Sequence, residues 1–319
     1  MAKYIAKRIL QVIPMLLVVS FIVFSLIQLA PYDAIDAITT PNMSQEAIDL
    51  LRARYGLDQP FLVQYVLWLK NILTGDLGYS LVSQQSISSE LAIRIPNTIK
   101  LILPAYITAL LLAIILGLVA GAYKGRFVDR LIDGICSVGI SMPTFWFAMI
   151  MIYFLGYRFD LLPIIGMHTV GMEDSFSDFL QHFIMPYLVL VVAFFPDLTR
   201  YVRSSTMLQL SEDYVMVQRS FGATKREIFA NHISKNVLLP IVTQIGLALP
   251  MLVTGAIITE SIFGWPGIGP FLMTATKGLD YPVIMAVMLL SATLVILGNL
   301  LSDVLYTIVD PRIGQEGTK

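Results

Sequence analysis

Few of the 319 residues are of types that do chemistry, and their spacing argues against most reactions. The histidines are His168, His182 and His232, isolated from one another, and no H-E-x-x-H pair is present to hold zinc. The first two are expected on one side of a membrane and the third on the other, which rules out a single shared metal site. No G-x-x-x-x-G-K-[ST] run exists, so the chain has no P-loop to cradle ATP phosphates. The one cysteine, Cys136, lies in an apolar run and reads as packing, and the 15 methionines are scattered as core fillers. Proton-driven carriers keep titratable groups near the bilayer midplane. Here Asp197, Glu260 and Asp303 lie towards the ends of apolar runs. Catalysis and ion coupling are both poorly equipped.

The chemistry that remains is recognition. Arg200–Pro240 is the longest polar interruption in the second half of the chain, and it is basic. A helical pattern runs through Val202, Met207, Leu210, Tyr214 and Val217 up to Gly222. Glycine enters the left-handed conformation cheaply and so ends a helix there. Thr224 and Glu227 have the spacing of a capping box that starts the next one. Two helices joined at a bend suit a docking face for a soluble partner, and a solvated loop is the alternative.

The elements that position this segment are membrane spans. Hydrophobic residues make up 56% of the chain and charged ones 13%, about half the usual charged share. The net charge of −1 gives no bulk case for nucleic acid. Six runs approach the ~20 residues needed to cross ~30 Å of hydrocarbon. They are 9–30, 99–123, 134–157, 184–199, 241–262 and 283–308. The first is too long for a signal-peptide core and no A-x-A-like site follows it, so it reads as a retained helix. The N-terminus, the loop 124–133, the 200–240 segment and the C-terminus hold 14 of the 21 Lys and Arg, which places both ends in the cytoplasm.

Residues 31–98 form an extracytoplasmic segment. Ser44 is suited to cap a helix that ends before Gly56, and Pro60 opens another with Phe61, Tyr65, Trp68 and Ile72 on one stripe. That stripe can pack on the protein's own spans, lie in the headgroup region or dock a partner. Near the end of the fifth run, Gly264, Pro266, Gly267, Gly269 and Pro270 interrupt helix. Irregular backbone at membrane depth must be covered or line a cavity. Pro104, Pro143 and Pro250 sit inside runs, as hinges or static kinks.

Several motifs, in order and spacing, resemble one family over nearly the whole length. They are KRILQVIPMLLVVSFIVF, RYGLDQPFLVQYVLWL, GDLGYS, RIPNT, ISMPTFW, EDYVMVQRSFGA, ESIFGWPGIG, GLDYP and DPRI. The chain resembles the permease subunits of bacterial ATP-binding-cassette importers for dipeptides, oligopeptides and nickel, in particular the first of the two paired permeases, the oligopeptide-permease B-like type. The resemblance implies an all-α integral membrane protein with six spans. It implies a type I importer permease fold, a core domain over 99–310, an external insertion and a cytoplasmic tail over 311–319. It also implies a second homologous permease, two cytoplasmic ATP-binding subunits and an extracytoplasmic substrate-binding protein as partners, in the bacterial cytoplasmic membrane. ATP and magnesium would be used by the partners, with no cofactor or metal on this chain. A peptide is the implied cargo, with nickel or a metal chelate as the alternative. An ion-coupled carrier and a passive scaffold or channel subunit are the competing classes.

By the same resemblance, the segment 212–222 is the coupling helix, with Glu212, Asp213, Tyr214, Val215, Gln218, Gly222 and Ala223 as its contact candidates. The family's E-A-A positions fall on Met216, Val217 and Gln218, which do not match, and its later I-x-L-P element is nearest at Leu238–Pro240. Glu260, Trp265, Pro266, Gly267 and Gly269, with Pro143 and Trp146 of ISMPTFW, become candidates for an external gate or the pathway. A tight turn packing the last two spans is the structural alternative for the glycine-rich stretch.

Overall fold

The computed structural model describes residues 2–29, 43–54, 56–248 and 256–309. Pro31–Asn42, Pro250, the DPRI motif and the C-terminal tail lie outside the described residues. Within the described residues the chain is helix and loop, with one isolated bridge between Tyr79 and Ser86.

Helix α1 runs Ala2–Gln28 and α2 runs Gln45–Arg54. The Ser44 cap forms, accepting from the Ala47 N–H at 3.3 Å, and Gly56 follows the helix with φ +68°. Pro60, with φ −57°, leads into α3 (Phe61–Leu73). The aromatic stripe packs on the protein's own first helix. Tyr65 meets Phe21 edge-on at 5.2 Å between centroids, Trp68 lies 5.3 Å from Phe24, and the Tyr65 hydroxyl bonds Ser20 Oγ at 2.9 Å.

Helix α4 (Ile87–Ala122) starts well before the expected boundary at 99 and carries both Pro96 and Pro104 inside it. Helix α5 (Phe127–Ser141) and helix α6 (Thr144–Met151), which continues as a π-helical turn Ile152–Arg158, correct another expectation. The expected continuous span 134–157 is bent by 94° between α5 and α6. Pro143 lacks an N–H and drives Met142 to extended backbone, ψ 114°, which ends α5.

Helix α7 (Phe176–Leu210) absorbs the expected span 184–199 and extends it at both ends, with Pro186 and Pro196 inside. At 1.5 Å per residue it is about 52 Å long, some 20 Å more than a hydrocarbon core. The single helical pattern expected up to Gly222 instead breaks after Leu210, where the Ser211 hydroxyl bonds the Leu208 carbonyl at 2.7 Å. Helix α8 (Asp213–Ser220) follows, then α9 (Lys225–Ile228), a π-helical turn Phe229–Ile233 and α10 (Ser234–Ala248). Helices α11 (Ile257–Ile262), α12 (Ile268–Lys277) and α13 (Tyr281–Val309) complete the described residues.

Among the described residues, α4, α7 and Tyr281–Ser302 of α13 are long and apolar enough to cross a membrane, and the bent α5–α6 pair makes a fourth if taken as one span. The apolar part of α1, Leu10–Leu26, is shorter, and the expected span 241–262 runs through residues outside those described.

The central packing is α4 against α7. Ala105, Ala109, Ala113, Gly117 and Gly121, four apart, form a buried stripe on α4. A Cβ on Gly117 would fall 2.6 Å from Val202 Cβ, and one on Gly121 2.5 Å from Thr206 Cβ, so the two backbones meet with no room for a side chain. On the other flank of α7, Gly139 of α5 gives the same close approach to the Pro196 ring, 2.7 Å to Cγ. Far from this seam, Ser80 of GDLGYS donates to buried Asp280 of GLDYP at 2.6 Å, which fastens the segment between α3 and α4 to the start of α13.

Candidate functional sites

At the end of the bundle where α7 finishes, α8 is held by Val215 and Tyr214. Val215, 1% exposed, packs with Val202, Ile228 and Ile233. Glu212 is the N-cap residue in extended backbone, Asp213 opens the first turn, and both are exposed. Tyr214 is half-buried and donates to Gln209 Oε1 at 2.9 Å. The opposite face of α8 carries Met216 and Val217, and Phe221 is 85% exposed. These apolar groups therefore stand on a short helix beyond the long spans. Gln218, half-buried, gives its carbonyl to the Ala223 N–H at 3.1 Å, while the Gly222 N–H bonds the Arg219 carbonyl at 3.0 Å. This pair of bonds is a Schellman cap, and Gly222 takes the left-handed φ of +82° that it requires.

The capping box beyond it forms. Glu227 Oε2 accepts from the Thr224 N–H at 2.8 Å, and the Glu227 N–H donates to Thr224 Oγ1 at 3.3 Å. The backbone bond from Thr224, joined by its hydroxyl, holds the Glu227 carboxyl below the usual glutamate range.

At the opposite end, five candidates come together. Glu260 is 0% exposed, and its Oε2 accepts from the Gly269 N–H at 2.7 Å. Thr98 Oγ1 accepts from the Ile268 N–H at 2.9 Å. The Trp265 indole, fully buried, donates to the Asn97 carbonyl at 2.8 Å, and Asn97 Nδ2 donates to the Pro266 carbonyl at 3.1 Å. A Cβ on Gly267 would fall 2.5 Å from Thr98 Oγ1, and one on Gly269 2.7 Å from Ile257 Cα, which is why both positions are glycine. RIPNT and GWPGIG thus form a single clasp. Glu260 serves the backbone within it, with Oε1 buried and without a protein partner.

Pro143 and Trp146 belong to neither group. They line an open recess in the crook of the α5–α6 bend with Ser137, Val138, Ser141, Met142 and Phe145, and Trp146 is half exposed.

The histidines are less isolated than their spacing suggests. His168 Nδ1 and His182 Nδ1 lie 3.7 and 3.6 Å from the same Asp178 oxygen, and Thr169 donates to that carboxylate through both its N–H and its hydroxyl. The loop bearing His168 and Thr169 rests on the clasp, the Gly166 N–H bonding the Phe263 carbonyl at 2.8 Å. Asn97 and Thr98 were legible only as part of a motif. Asp178 was legible only as the third residue after the helix-capping Ser175, whose Oγ accepts its N–H at 3.3 Å.

Long apolar helices, tight glycine seams and polar groups gathered at the two ends describe an integral membrane protein. The family described as "Binding-protein-dependent transport system inner membrane component" matches residues 109–315, and its N-terminal companion matches residues 1–102. The chain belongs to this family. It is 38% identical over 314 residues to the oligopeptide transport system permease protein AppB of Bacillus subtilis, covering 98% of this chain and 99% of that one. It is 36% identical over 313 residues to the glutathione transport system permease protein GsiC of Salmonella paratyphi A, again covering 98% and 99%.

Proposed function

We propose that this chain is the transmembrane permease subunit of an ATP-driven importer and forms half of a translocation pathway for di- or oligopeptides. The observation that carries this reading is likeness over essentially the whole chain to permeases named for oligopeptide and glutathione transport. Six spans, both termini in the cytoplasm and residence in a bacterial cytoplasmic membrane complete the reading. So do a second permease, two ATP-binding subunits that use ATP and magnesium, and an external binding protein.

The residues take roles by position. Helix α8 docks the ATPase through Met216, Val217 and Phe221 around the contact candidates Glu212, Asp213, Tyr214 and Gln218. Val215 anchors it from behind, and Gly222 with Ala223 fixes its end. An exposed apolar face on a short helix supports this role, since such a face gains by being covered. The clasp of Glu260, Trp265, Pro266, Gly267 and Gly269 closes the external end. Glu260 acts there by holding the turn. Pro143 and Trp146 sit at the bend that alternating access would flex. ATP binding draws the ATPases together, moves α8 and opens the pathway outward.

Affinity purification of a tagged copy from native membranes in mild detergent, with mass spectrometry, tests the reading. Recovery of two ATPases and a second permease is the expected result. An active chain recovered alone overturns it.

A further inference from the structure

Two arginines on α7 face two aspartates on α5 just inside the end that carries α8. Arg203 grips Asp129 with both arms of its guanidinium, Nε to Oδ1 at 2.5 Å and Nη2 to Oδ2 at 3.0 Å. Asp129 is 3% exposed and also accepts the Gly125 N–H at 2.7 Å, so one carboxylate closes the α4–α5 turn and holds α7. One turn further in, Arg200 Nε lies 3.4 Å from Asp133 Oδ1, and its Nη2 donates to Ser137 Oγ at 2.7 Å. The two pairs form a ladder with one buried rung and one half-exposed rung.

The location of the ladder is its significance. Val215 of α8 shares one buried apolar cluster with Val202, the residue next to Arg203. A displacement of α8 is therefore applied to α7 at the point where α7 is pinned to α5. Helix α5 leads directly into the 94° bend at Met142–Pro143. The glycine seam seats Val202 and Thr206 of α7 against Gly117 and Gly121 of α4, and the Tyr187 hydroxyl bonds Thr108 Oγ1 across it at 2.8 Å. A bidentate ion pair has two fixed distances and does not slide.

We infer that Arg203 and Asp129 are positioning residues for coupling, with Arg200 and Asp133 as the outer rung, transmitting movement of the docking helix through α5 to the α5–α6 bend. The inference rests on the reading of α8 as an ATPase-docking helix.

The test uses the intact complex in lipid nanodiscs and compares substrate moved per ATP hydrolysed. Arg203→Lys keeps the positive charge opposite Asp129 and removes the fork. The expected result is assembly and ATP hydrolysis at the wild-type level, with substrate moved per ATP down about fivefold, within the range for residues that alter coupling without touching either ligand. A purely structural role would lower assembly and hydrolysis together and leave the ratio unchanged. An unchanged ratio in Arg203→Lys overturns the inference while the functional reading stands. A wild-type chain that recruits no ATPase overturns the reading and the inference with it. Should Arg203→Lys not assemble, Arg200→Lys on the half-exposed rung decides. A drop in its ratio of about twofold supports the ladder, and a wild-type ratio overturns it.

Discussion

The indole nitrogen of Trp265 donates to the backbone carbonyl of Asn97 at 2.8 Å, and both groups are buried. The bond ties the glycine-rich turn to the first third of α4, and the Asn97 side chain returns a second bond to the Pro266 carbonyl. Trp265→Phe keeps most of the ring and removes the donor. The Asn97 carbonyl keeps its helical partner within α4, so the loss is one hydrogen bond, about 0.5–1.5 kcal/mol. The thermal unfolding midpoint in detergent should fall by a few degrees, and an unchanged midpoint would show that water replaces the indole.

Glu260 separates two variants. Glu260→Gln keeps an oxygen able to accept from Gly269, and it should match wild type in stability and in peptide uptake. Glu260→Ala strands the Gly269 N–H and leaves a void, and should be less stable by about 1–3 kcal/mol. Uptake kinetics that change in Glu260→Gln at unaltered stability would instead assign the carboxylate a direct part in the pathway.

Gly222 has a left-handed φ with open space around its missing side chain, so only backbone strain opposes substitution there. For a β-branched residue that strain is about 1–2 kcal/mol. Gly222→Val should insert normally and lose uptake, whereas Gly222→Asn, which tolerates this conformation, should keep most of it. Normal uptake by the valine variant would remove the requirement for the cap.

The capping box gives a pH dependence of known sign. The folded carboxyl of Glu227 titrates below its ordinary range. Its contribution is therefore complete above the unfolded value of about 4.3 and disappears as pH falls through the lower folded value. Amide hydrogen exchange at Thr224–Phe229 should be protected at neutral pH and lose protection on acidification. Glu227→Gln should flatten that dependence, and an equally steep profile in the variant would place the titrating group elsewhere.

What was legible in the sequence was local. Ser44, Pro60, Gly222 and the Thr224–Glu227 box act within a few residues of themselves, and each formed as its chemistry requires. The aromatic stripe on α3 was visible as a face, and its partner Phe24 lay in an equally visible apolar run. Pairings such as Asn97 with Trp265 and Asp129 with Arg203 were hidden because they join residues 168 and 74 positions apart. Each side chain also has an ordinary solvated alternative. The break at Pro143 could be read as a kink, and only its extended neighbour Met142 made it a right-angle bend. The alanine–glycine stripe on α4 has a period of four that the sequence displays openly, but small residues leave no mark on a hydropathy profile.

The bond between Ser80 and Asp280 also bears on how the protein is made. Its partners lie 200 residues apart. At about 5–20 residues per second, roughly 10–40 s of synthesis separate them. Throughout that interval the segment before α4 has been made without the carboxylate that fastens it, and the loop 75–86 is held by local bonds such as that from the Ile87 N–H to the Gly78 carbonyl at 3.0 Å until the last span arrives. Its final shape is therefore a late event in assembly. A nascent chain arrested before Asp280 would expose this loop to protease, while the completed chain would shield it.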